Sequence, residues 1–457
     1  MRLSPFPASG QLACLRRITG AGRLTRAGQL TRAGQLTGTV LATIVRTWTA
    51  VAGVAGVAGV VGVAVVVGIA PGRAIAEAPA RTVAGPRLPG VDHAPTPLAP
   101  ATPSLTPGAV PAWGVPPSGQ LHRKLGETRT GPSPKQVAFT PDGTELWVPL
   151  LGAVGVDVYR VPTLERIARI PLGTKGGVEV IFNRSGTRAY VSQMHTATVY
   201  EIDRVAKRVL RVLPTKGTWT KVLGLSPDEM TLYAANWVSN DISVIDLATA
   251  TVKTKIPTVR TPRGLIVMPS GTELYVAGFE DGNVVHIDLM TGKQTELIKT
   301  GGAMRHLALD ETSNVLYADD MGRDNVLAFD LIKGTNRVVA LTDSHPNTIA
   351  LSPSKRFLYV SNRGQNGDDG YYLPGPDWGS VVVLDTTNGV VVDAIVGGNQ
   401  TTGLDVSPDG RYVAFTDFLD GRLQLYEIPP EPVLVASPGL RAQTYKSELT
   451  KAKKSKK

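Results

Sequence analysis

Short runs of alternating apolar and polar residues recur along most of the chain, and this alternation predicts β-strands rather than helices. A clear example is LYAANWVSNDISVIDLATATV, residues 232–252, in which two alternating runs flank the polar turn VSND. The runs are rich in β-branched and aromatic residues, and turn-forming residues bound them. The pattern therefore predicts antiparallel strands joined by tight turns.

The same pattern returns at a nearly constant interval. When the copies are aligned on one aromatic position, successive spacings are 43, 43, 42, 42, 42 and 55 residues. The aligned positions are Trp147, Tyr190, Tyr233, Tyr275, Tyr317, Tyr359 and, in the last copy, Ala414. A period near 42 with four strand patterns per copy is typical of β-propeller blades. The sequence predicts an all-β, seven-bladed β-propeller of four-stranded antiparallel blades over residues 120–430.

The last copy predicts how the ring closes. Its third strand pattern, LQLYEI, is followed by PPEP, which cannot continue a regular ladder. Residues 120–139 have instead the form of an outer strand followed by an inner one, like residues 249–267. We therefore expect residues near 121–127 to supply the outer strand of the seventh blade.

The repeat resembles a known family. The run from Leu232 to Gly264, together with LYVSN at residues 358–362, resembles the YVTN-type β-propeller repeat in its Tyr-Val-x-Asn strand, its VID strand and its Pro-x-Gly segment. The resemblance covers residues 120–430. It implies an exported or cell-surface seven-bladed propeller, a scaffold shared by binding proteins with remote enzyme relatives.

The N-terminal region predicts export. Residues 1–46 carry seven Arg and no acidic residue, and 26 uncharged residues, 47–72, follow them. Ala74-Ile75-Ala76 has the small-x-small form of a signal peptidase site. Residues 1–76 are thus interpreted as a basic region and signal peptide, or as an uncleaved signal anchor with a cytoplasmic N-terminus. We expect an extracytoplasmic protein: secreted, periplasmic or cell-surface.

Two further segments are expected to be disordered. Residues 77–119 are rich in Pro, Ala and Thr, which is typical of an extended spacer. Residues 431–457 end in a Lys-rich stretch and are interpreted as a basic tail. These segments would leave the propeller as the ordered part of the chain.

The net charge of +10 is not a nucleic-acid signal, because it comes from the two ends. Residues 1–46 contribute +7 and residues 441–457 contribute +6, so the remaining 394 residues sum to −3. Nucleic-acid binding needs a basic patch on the folded surface. We expect no nucleic-acid partner, contact with a membrane only through the possible anchor, and a monomer.

The start of each inner strand marks a candidate binding site, because these residues ring the mouth of the central channel. The ring positions are Lys135, Val178, Lys221, Arg263, Arg305, Asn347 and Thr402, with Gln136, Glu179 and His306 beside them. Four of these seven positions are cationic, and a cationic cleft concentrates anions. The alternative is that these side chains face water or pair with Asp319, Asp320 and Asp417.

The sixth blade carries an insertion of about 13 residues, RGQNGDDGYYLPGPDWG, residues 363–379. Long loops in a compact repeat are uncommon and often functional. We expect Asp369, Tyr371, Tyr372 and Trp378 to contact a ligand or partner. An inert surface loop and a calcium site are the alternatives, although the Asp spacing matches no EF-hand loop.

No catalytic or metal-binding motif stands out. The six His form no close ligand pair, Cys14 is the only cysteine, and neither a nucleophile elbow nor a phosphate loop occurs in a suitable context. We expect no cofactor, no metal and no catalytic residue.

The preferred interpretation is an exported, non-enzymatic binding module whose top face and channel mouth take a protein, a glycan or an anionic small molecule. A lactonase-like hydrolase and a propeller subunit like those of amine dehydrogenases are the enzymatic alternatives. A structural surface-layer component is the third.

Overall fold

The computed structural model describes residues 113–368, 370–437 and 439–451. The predicted signal segment, most of the Pro-rich spacer and the last six residues lie outside the described residues, as does Asp369. All described residues belong to one compact unit, Pro107–Lys457.

The described chain forms seven four-stranded antiparallel sheets, which confirms the predicted seven-bladed propeller. The inner strands are β2 (Ala138–Phe139), β6 (Val180–Phe182), β10 (Thr220–Leu225), β14 (Pro262–Val267), β18 (Met304–Asp310), β22 (Pro346–Leu351) and β26 (Thr401–Val406). The second strands are β3 (Glu145–Pro149), β7 (Arg188–Gln193), β11 (Thr231–Asn236), β15 (Glu273–Gly278), β19 (Val315–Asp320), β23 (Phe357–Asn362) and β27 (Tyr412–Asp417). The third strands are β4 (Val156–Arg160), β8 (Thr198–Asp203), β12 (Asp241–Asp246), β16 (Asn283–Asp288), β20 (Asn325–Asp330), β24 (Ser380–Asp385) and β28 (Arg422–Glu427). The outer strands are β5 (Arg166–Ile170), β9 (Arg208–Pro214), β13 (Thr251–Pro257), β17 (Gln294–Lys299), β21 (Thr335–Leu341), β25 (Val391–Val396) and, in the seventh blade, β1 (Arg123–Arg129).

The aligned aromatic residues explain why the repeat keeps its period. Each is buried and packs against the next blade: Tyr190, for example, shares a cluster with Leu223, and Tyr233 shares one with Leu265. Burial of such a side chain stabilises the fold by on the order of 2–3 kcal/mol. The repeat therefore encodes the contact between blades as well as the blade itself.

The first described strand closes the ring. β1 pairs antiparallel with β28, from Arg123 opposite Glu427 to Arg129 opposite Arg422. The outer strand of the last blade thus comes from the N-terminal side of the propeller, as predicted, two residues further along the chain than expected. Main-chain hydrogen bonds join the two ends of the ring.

The segment after the last blade corrects one expectation. Residues 431–451, expected to be a disordered tail, form three short helices: α1 (Glu431–Val435), α2 (Leu440–Thr444) and α3 (Lys446–Leu449). Leu434, Arg441 and Tyr445 are buried there. The Tyr445 hydroxyl donates to Asp343 (3.0 Å), and the Arg441 guanidinium binds Glu448 and two backbone carbonyls. The basic composition of the segment predicted disorder, although these three buried side chains anchor it to the propeller.

Within the part of the chain that the structure describes, no helix has the length and apolar character needed to cross a membrane.

Candidate functional site

The ring positions converge at one end of the central channel, on the face that carries the loops between second and third strands (the top face). Lys135, Arg263 and Arg305 are each less than a tenth exposed, and Lys221 is partly exposed. The Arg305 Nε donates to the Asn347 carbonyl oxygen (3.0 Å), which fixes its side chain across the neighbouring blade. Val178, Asn347 and Thr402 are buried parts of the same ring.

A fifth cation joins them. Arg363, the first residue of the inserted loop, is 2% exposed, and its guanidinium lies 4.4 Å from the centroid of the Tyr371 ring. Together, Lys135, Lys221, Arg263, Arg305 and Arg363 are called the cation group here. Burial, followed by repulsion from Arg305, Arg363 and Arg263, holds the pKa of Lys135 well below its usual range. Burial and the neighbouring cations likewise lower the pKa of Lys221 far below its usual range.

Few acids neutralise these charges. Glu179 is the one carboxylate among the described residues within 4.0 Å of the cation group, with Oε2 4.0 Å from Arg263 Nη1. Burial nevertheless raises the pKa of Glu179 to about 7. Asp319 accepts a hydrogen bond from the His306 backbone N–H (2.5 Å), and burial raises its pKa to about 6. The site is therefore strongly cationic.

The other two acids considered as partners are engaged elsewhere. Asp417 binds Arg422 (2.8 Å) and Gln424 (2.7 Å), on the outer side of its strand. Asp320 accepts hydrogen bonds from Thr300 (2.6 Å) and from backbone N–H groups. Neither carboxylate contacts the cation group, so Asp320 and Asp417 are not the ionic partners of these cations.

The insertion, residues 363–379, covers the channel mouth and is called the lid loop. The Tyr371 hydroxyl accepts a hydrogen bond from Lys135 Nζ (2.7 Å), and the Tyr371 carbonyl oxygen accepts one from Gln400 Nε2 (2.6 Å). The Tyr371 ring lies 5.6 Å from that of Phe418. The ring of cations expected at an open mouth is thus enclosed under Tyr371.

The remaining predicted loop residues differ in position. Tyr372 is 62% exposed and stacks edge-on against Tyr371 at 5.0 Å. Trp378 contacts the C-terminal segment instead of the cation group: Lys451 Nζ lies 4.5 Å from its ring centroid, and its backbone N–H donates to the Leu449 carbonyl oxygen (2.8 Å). Asp369 lies outside the described residues.

Sequence reasoning missed a second ring beside the cation group, which is apolar except for Arg363, a member of both. Its members stand four residues after the aligned aromatic position of each blade, and we call them the collar: Leu151, Met194, Trp237, Phe279, Met321, Arg363 and Phe418. Lys221 Nζ lies 3.5 Å from the Trp237 ring centroid, and Lys135 Nζ lies 4.8 Å from that of Phe418. The same alignment would have revealed the collar, and Arg363 as its one charged member.

A channel cavity of about 250 Å³ lies inside the ring, next to the cation group: Glu179, which lines the cavity, is 4.0 Å from Arg263. Gln136, Glu179 and His306 line it, each one residue after a ring position, and Asp405 lines it on β26. Burial lowers the pKa of His306 to about 3 and raises that of Asp405 to about 7. His306 is therefore neutral near pH 7.

Among the described residues, five buried polar atoms around this site have no hydrogen-bond partner. They are Arg363 Nε, Asn347 Oδ1, His306 Nδ1, Gln400 Oε1 and Asp319 Oδ2. Such groups are costly in a folded protein unless something satisfies them. The unpaired donor of Arg363, beside an excess of positive charge, suits an anionic ligand with oxygen acceptors.

The described residues contain no group of three or more His, Cys, Asp or Glu arranged to hold a metal ion. His122 bonds with Asp393, His286 with Glu273, and His345 with the Gly364 carbonyl oxygen. What the site offers chemically is recognition of negative charge.

Comparisons with known proteins agree with this fold. A family profile described as YNCE-like beta-propeller matches residues 191–404. Antigen Lp49 of Leptospira interrogans is 36% identical over 320 residues, which cover 67% of this chain and 70% of that protein.

Two solved structures share the fold at low identity. Kuenenia stuttgartiensis hydrazine synthase superposes with a TM-score of 0.56 at 18% identity, covering 66% of this chain and 97% of that one. The β-propeller domain of Myceliophteria thermophila Cps50 (Swd1) superposes with a TM-score of 0.56 at 15% identity, covering 67% of this chain and all of that one. These likenesses concern the fold alone. By its identity to antigen Lp49 over most of both chains, the protein belongs to the same family as that antigen.

Proposed function

We propose that the protein is a binding propeller that captures a small anion at the cation group, under the lid loop. The observation that carries the proposal is the crowding of basic groups: five Lys and Arg side chains converge, and among the described residues one carboxylate lies within 4.0 Å of them. Burial and their mutual repulsion lower the pKa of Lys135 and Lys221, and a bound anion would favour the charged forms of both.

The physical reason is the cost of leaving such charges unpaired. Transfer of a cation from water into a protein interior is expensive unless an opposite charge or hydrogen bonds compensate it. Arg263 has only Glu179 as an ionic partner among the described residues, and burial disfavours the ionised form of Glu179. A bound anion would lower the free energy of the whole group.

The lid loop and the collar strengthen that interaction. Tyr371, Phe418 and Trp237 surround the cations with aromatic surface and exclude water. Electrostatic attraction is stronger where the effective dielectric constant is low. A guanidinium can also form two parallel hydrogen bonds with a carboxylate or another oxyanion.

The proposed setting is extracytoplasmic. The YVTN-type resemblance of the repeats and the apolar run at residues 47–72 support it, and the relative is named an antigen. In that setting the propeller would act as a cell-surface or secreted receptor for an anionic solute.

Isothermal titration with acetate and with sulfate tests the proposal. Arg263→Met should weaken anion binding by about 10- to 100-fold, because a charge-assisted hydrogen bond contributes about 1.5–3 kcal/mol. Arg208→Met, which removes an exposed cation from β9, is the matched control and should leave the affinity unchanged. If neither anion binds the wild-type protein, the proposal fails.

A further inference from the structure

The side chains that line the channel below the cation group form successive levels. They belong to the residues that follow the ring positions along the same inner strands. Residues one and three positions after a ring position point to the same side of a strand. At the first level the cavity is lined by three polar side chains, Gln136, Glu179 and His306, and by one apolar side chain, Val222. At the next level it is lined by four apolar side chains and one carboxyl: Ala138, Ile181, Ile266, Ala350 and Asp405. All five of these are partly exposed.

We propose that the ligand of this site is a small amphipathic monocarboxylate, whose carboxylate meets the cation group and whose short apolar body lies in the channel. This inference rests on the proposed function and specifies the class of anion.

The cavity sets the size of the ligand. Its volume is about 250 Å³, slightly below the usual range for pockets that take drug-sized molecules. At about 30 Å³ for each water-sized unit, it has room for a ligand of at least about eight non-hydrogen atoms. A six-carbon monocarboxylate has this size.

The order of the layers sets the polarity of the ligand. The carboxylate end would lie at the polar level, on the side of Arg263 and Arg305, which stand next to the lining residues Glu179 and His306. Methylene groups would contact Ile181 and Ile266. Burial of apolar groups against such side chains is favourable in proportion to the area removed from water. An ion without an apolar part would leave this wall in contact with water.

Asp405 limits the ligand to one negative charge. It lies at the apolar level, away from the ring positions, and its carboxyl accepts hydrogen bonds from the Phe139 and Val406 backbone N–H groups (2.8 and 2.9 Å). A ligand with a second carboxylate at its far end would bring that charge towards Asp405, and like charges repel more strongly where water is scarce. The site should therefore reject linear dicarboxylates.

The test is calorimetric titration of the full chain with acetate, butanoate, hexanoate and adipate at about pH 8. Burial raises the pKa of both Asp405 and Glu179 to about 7, so both carboxyl groups are ionised at this pH and the four ligands meet the same charges. Each methylene removed from water improves affinity by up to about fourfold. Hexanoate, with four more methylenes than acetate, should therefore bind at least about tenfold more tightly. Adipate should bind at least about tenfold more weakly than hexanoate.

Two variants check the location. Ala350→Leu narrows the apolar level and should reduce the ratio of hexanoate to acetate affinity to near one, while Asp405→Asn should bring adipate closer to hexanoate. Thermal unfolding establishes that each variant is folded. Equal affinities of acetate and hexanoate would overturn this inference and leave the proposed anion site standing, whereas absence of binding by every anion, sulfate included, would overturn both.

Discussion

Asp393 connects the segment before β1 to the outer strand of the sixth blade, so its removal tests how the ring is held closed. One carboxylate oxygen, Oδ2, accepts three hydrogen bonds: from the Leu121 N–H (2.9 Å), the His122 N–H (2.8 Å) and His122 Nδ1 (2.6 Å). The other ring nitrogen of His122 lies 3.0 Å from the Tyr359 hydroxyl. His122, Asp393 and Tyr359 are all fully or almost fully buried.

Asp393→Ala would leave these three donors unsatisfied in the interior. Each unsatisfied buried group costs about 1–3 kcal/mol, and the removal of one partner from a buried pair typically costs about 3–5 kcal/mol. Because the three donors share one oxygen, the costs do not add in full. We expect the free energy of unfolding to fall by about 3–5 kcal/mol.

Guanidinium unfolding followed by tryptophan fluorescence measures this loss, and hydrogen exchange locates it. The amides of β1 and β28 should lose protection first, since these strands form the closure. Glu165→Ala, which breaks an exposed ion pair with Arg160 (3.3 Å), is the control and should cost less than about 1 kcal/mol. If Asp393→Ala costs no more than the control, or if the protection of β1 is unchanged, the reasoning about closure is wrong.

Three further predictions concern the cation group and the C-terminal segment. Burial raises the pKa of Glu179 from 4.5 to about 7, so between these pH values the folded state keeps a proton that the unfolded chain releases. The free energy of unfolding should therefore fall by up to about 3 kcal/mol as the pH rises from 4.5 to about 7. Denaturation curves across this range measure the fall, and Glu179→Gln should abolish the part that Glu179 causes. Lys221→Met removes a charge that the neighbouring cations repel, and it should raise the free energy of unfolding by about 1–2 kcal/mol in buffer of low anion content. Lys299→Met, at an exposed position, is the control and should leave the free energy of unfolding unchanged. A less stable Lys221→Met protein would contradict the charge imbalance. Arg441→Ala removes the hydrogen bonds to Glu448 and to two backbone carbonyls, so the C-terminal segment should detach more often. Chymotrypsin cleavage at Tyr445 should then be at least about tenfold faster. An unchanged cleavage rate would show that Arg441 does not hold the segment.

The fold could be predicted because its determinants are periodic. In the first six blades an aromatic residue every 42 or 43 positions packs against the next blade, so one pattern in the sequence specifies both the sheet and its contact with the neighbouring sheet. The closing strand was predictable for a related reason. The seventh blade lacks a fourth strand pattern, and residues 120–139 contain an outer strand pattern that no other blade uses, so the two were expected to pair.

The candidate site was predictable only in part. The register of the inner strands gave Lys135, Arg263 and Arg305, but not their burial, because burial depends on the lid loop. A loop that departs from the repeat has no periodic pattern to fix its path. Tyr371 and Arg363 turn inward through contacts with Gln400, Lys135 and each other, which no local pattern encodes.

The C-terminal segment shows a different limit. Six of its last twelve residues, 446–457, are Lys, which is typical of a solvated tail. Three buried side chains, Leu434, Arg441 and Tyr445, are enough to dock it on the propeller. Average charge says little about a segment whose anchors are this few.

The central claim is that an anion sits at the cation group, and the most direct measurement is a crystal structure of the protein grown with selenate. Selenate is an oxyanion whose selenium can be located by anomalous scattering. The account predicts an anomalous peak within about 4 Å of the Arg263 and Arg305 guanidinium groups, the range of direct ion pairing. Anomalous peaks confined to exposed Lys and Arg side chains on the outer strands, with none inside the ring, would contradict it.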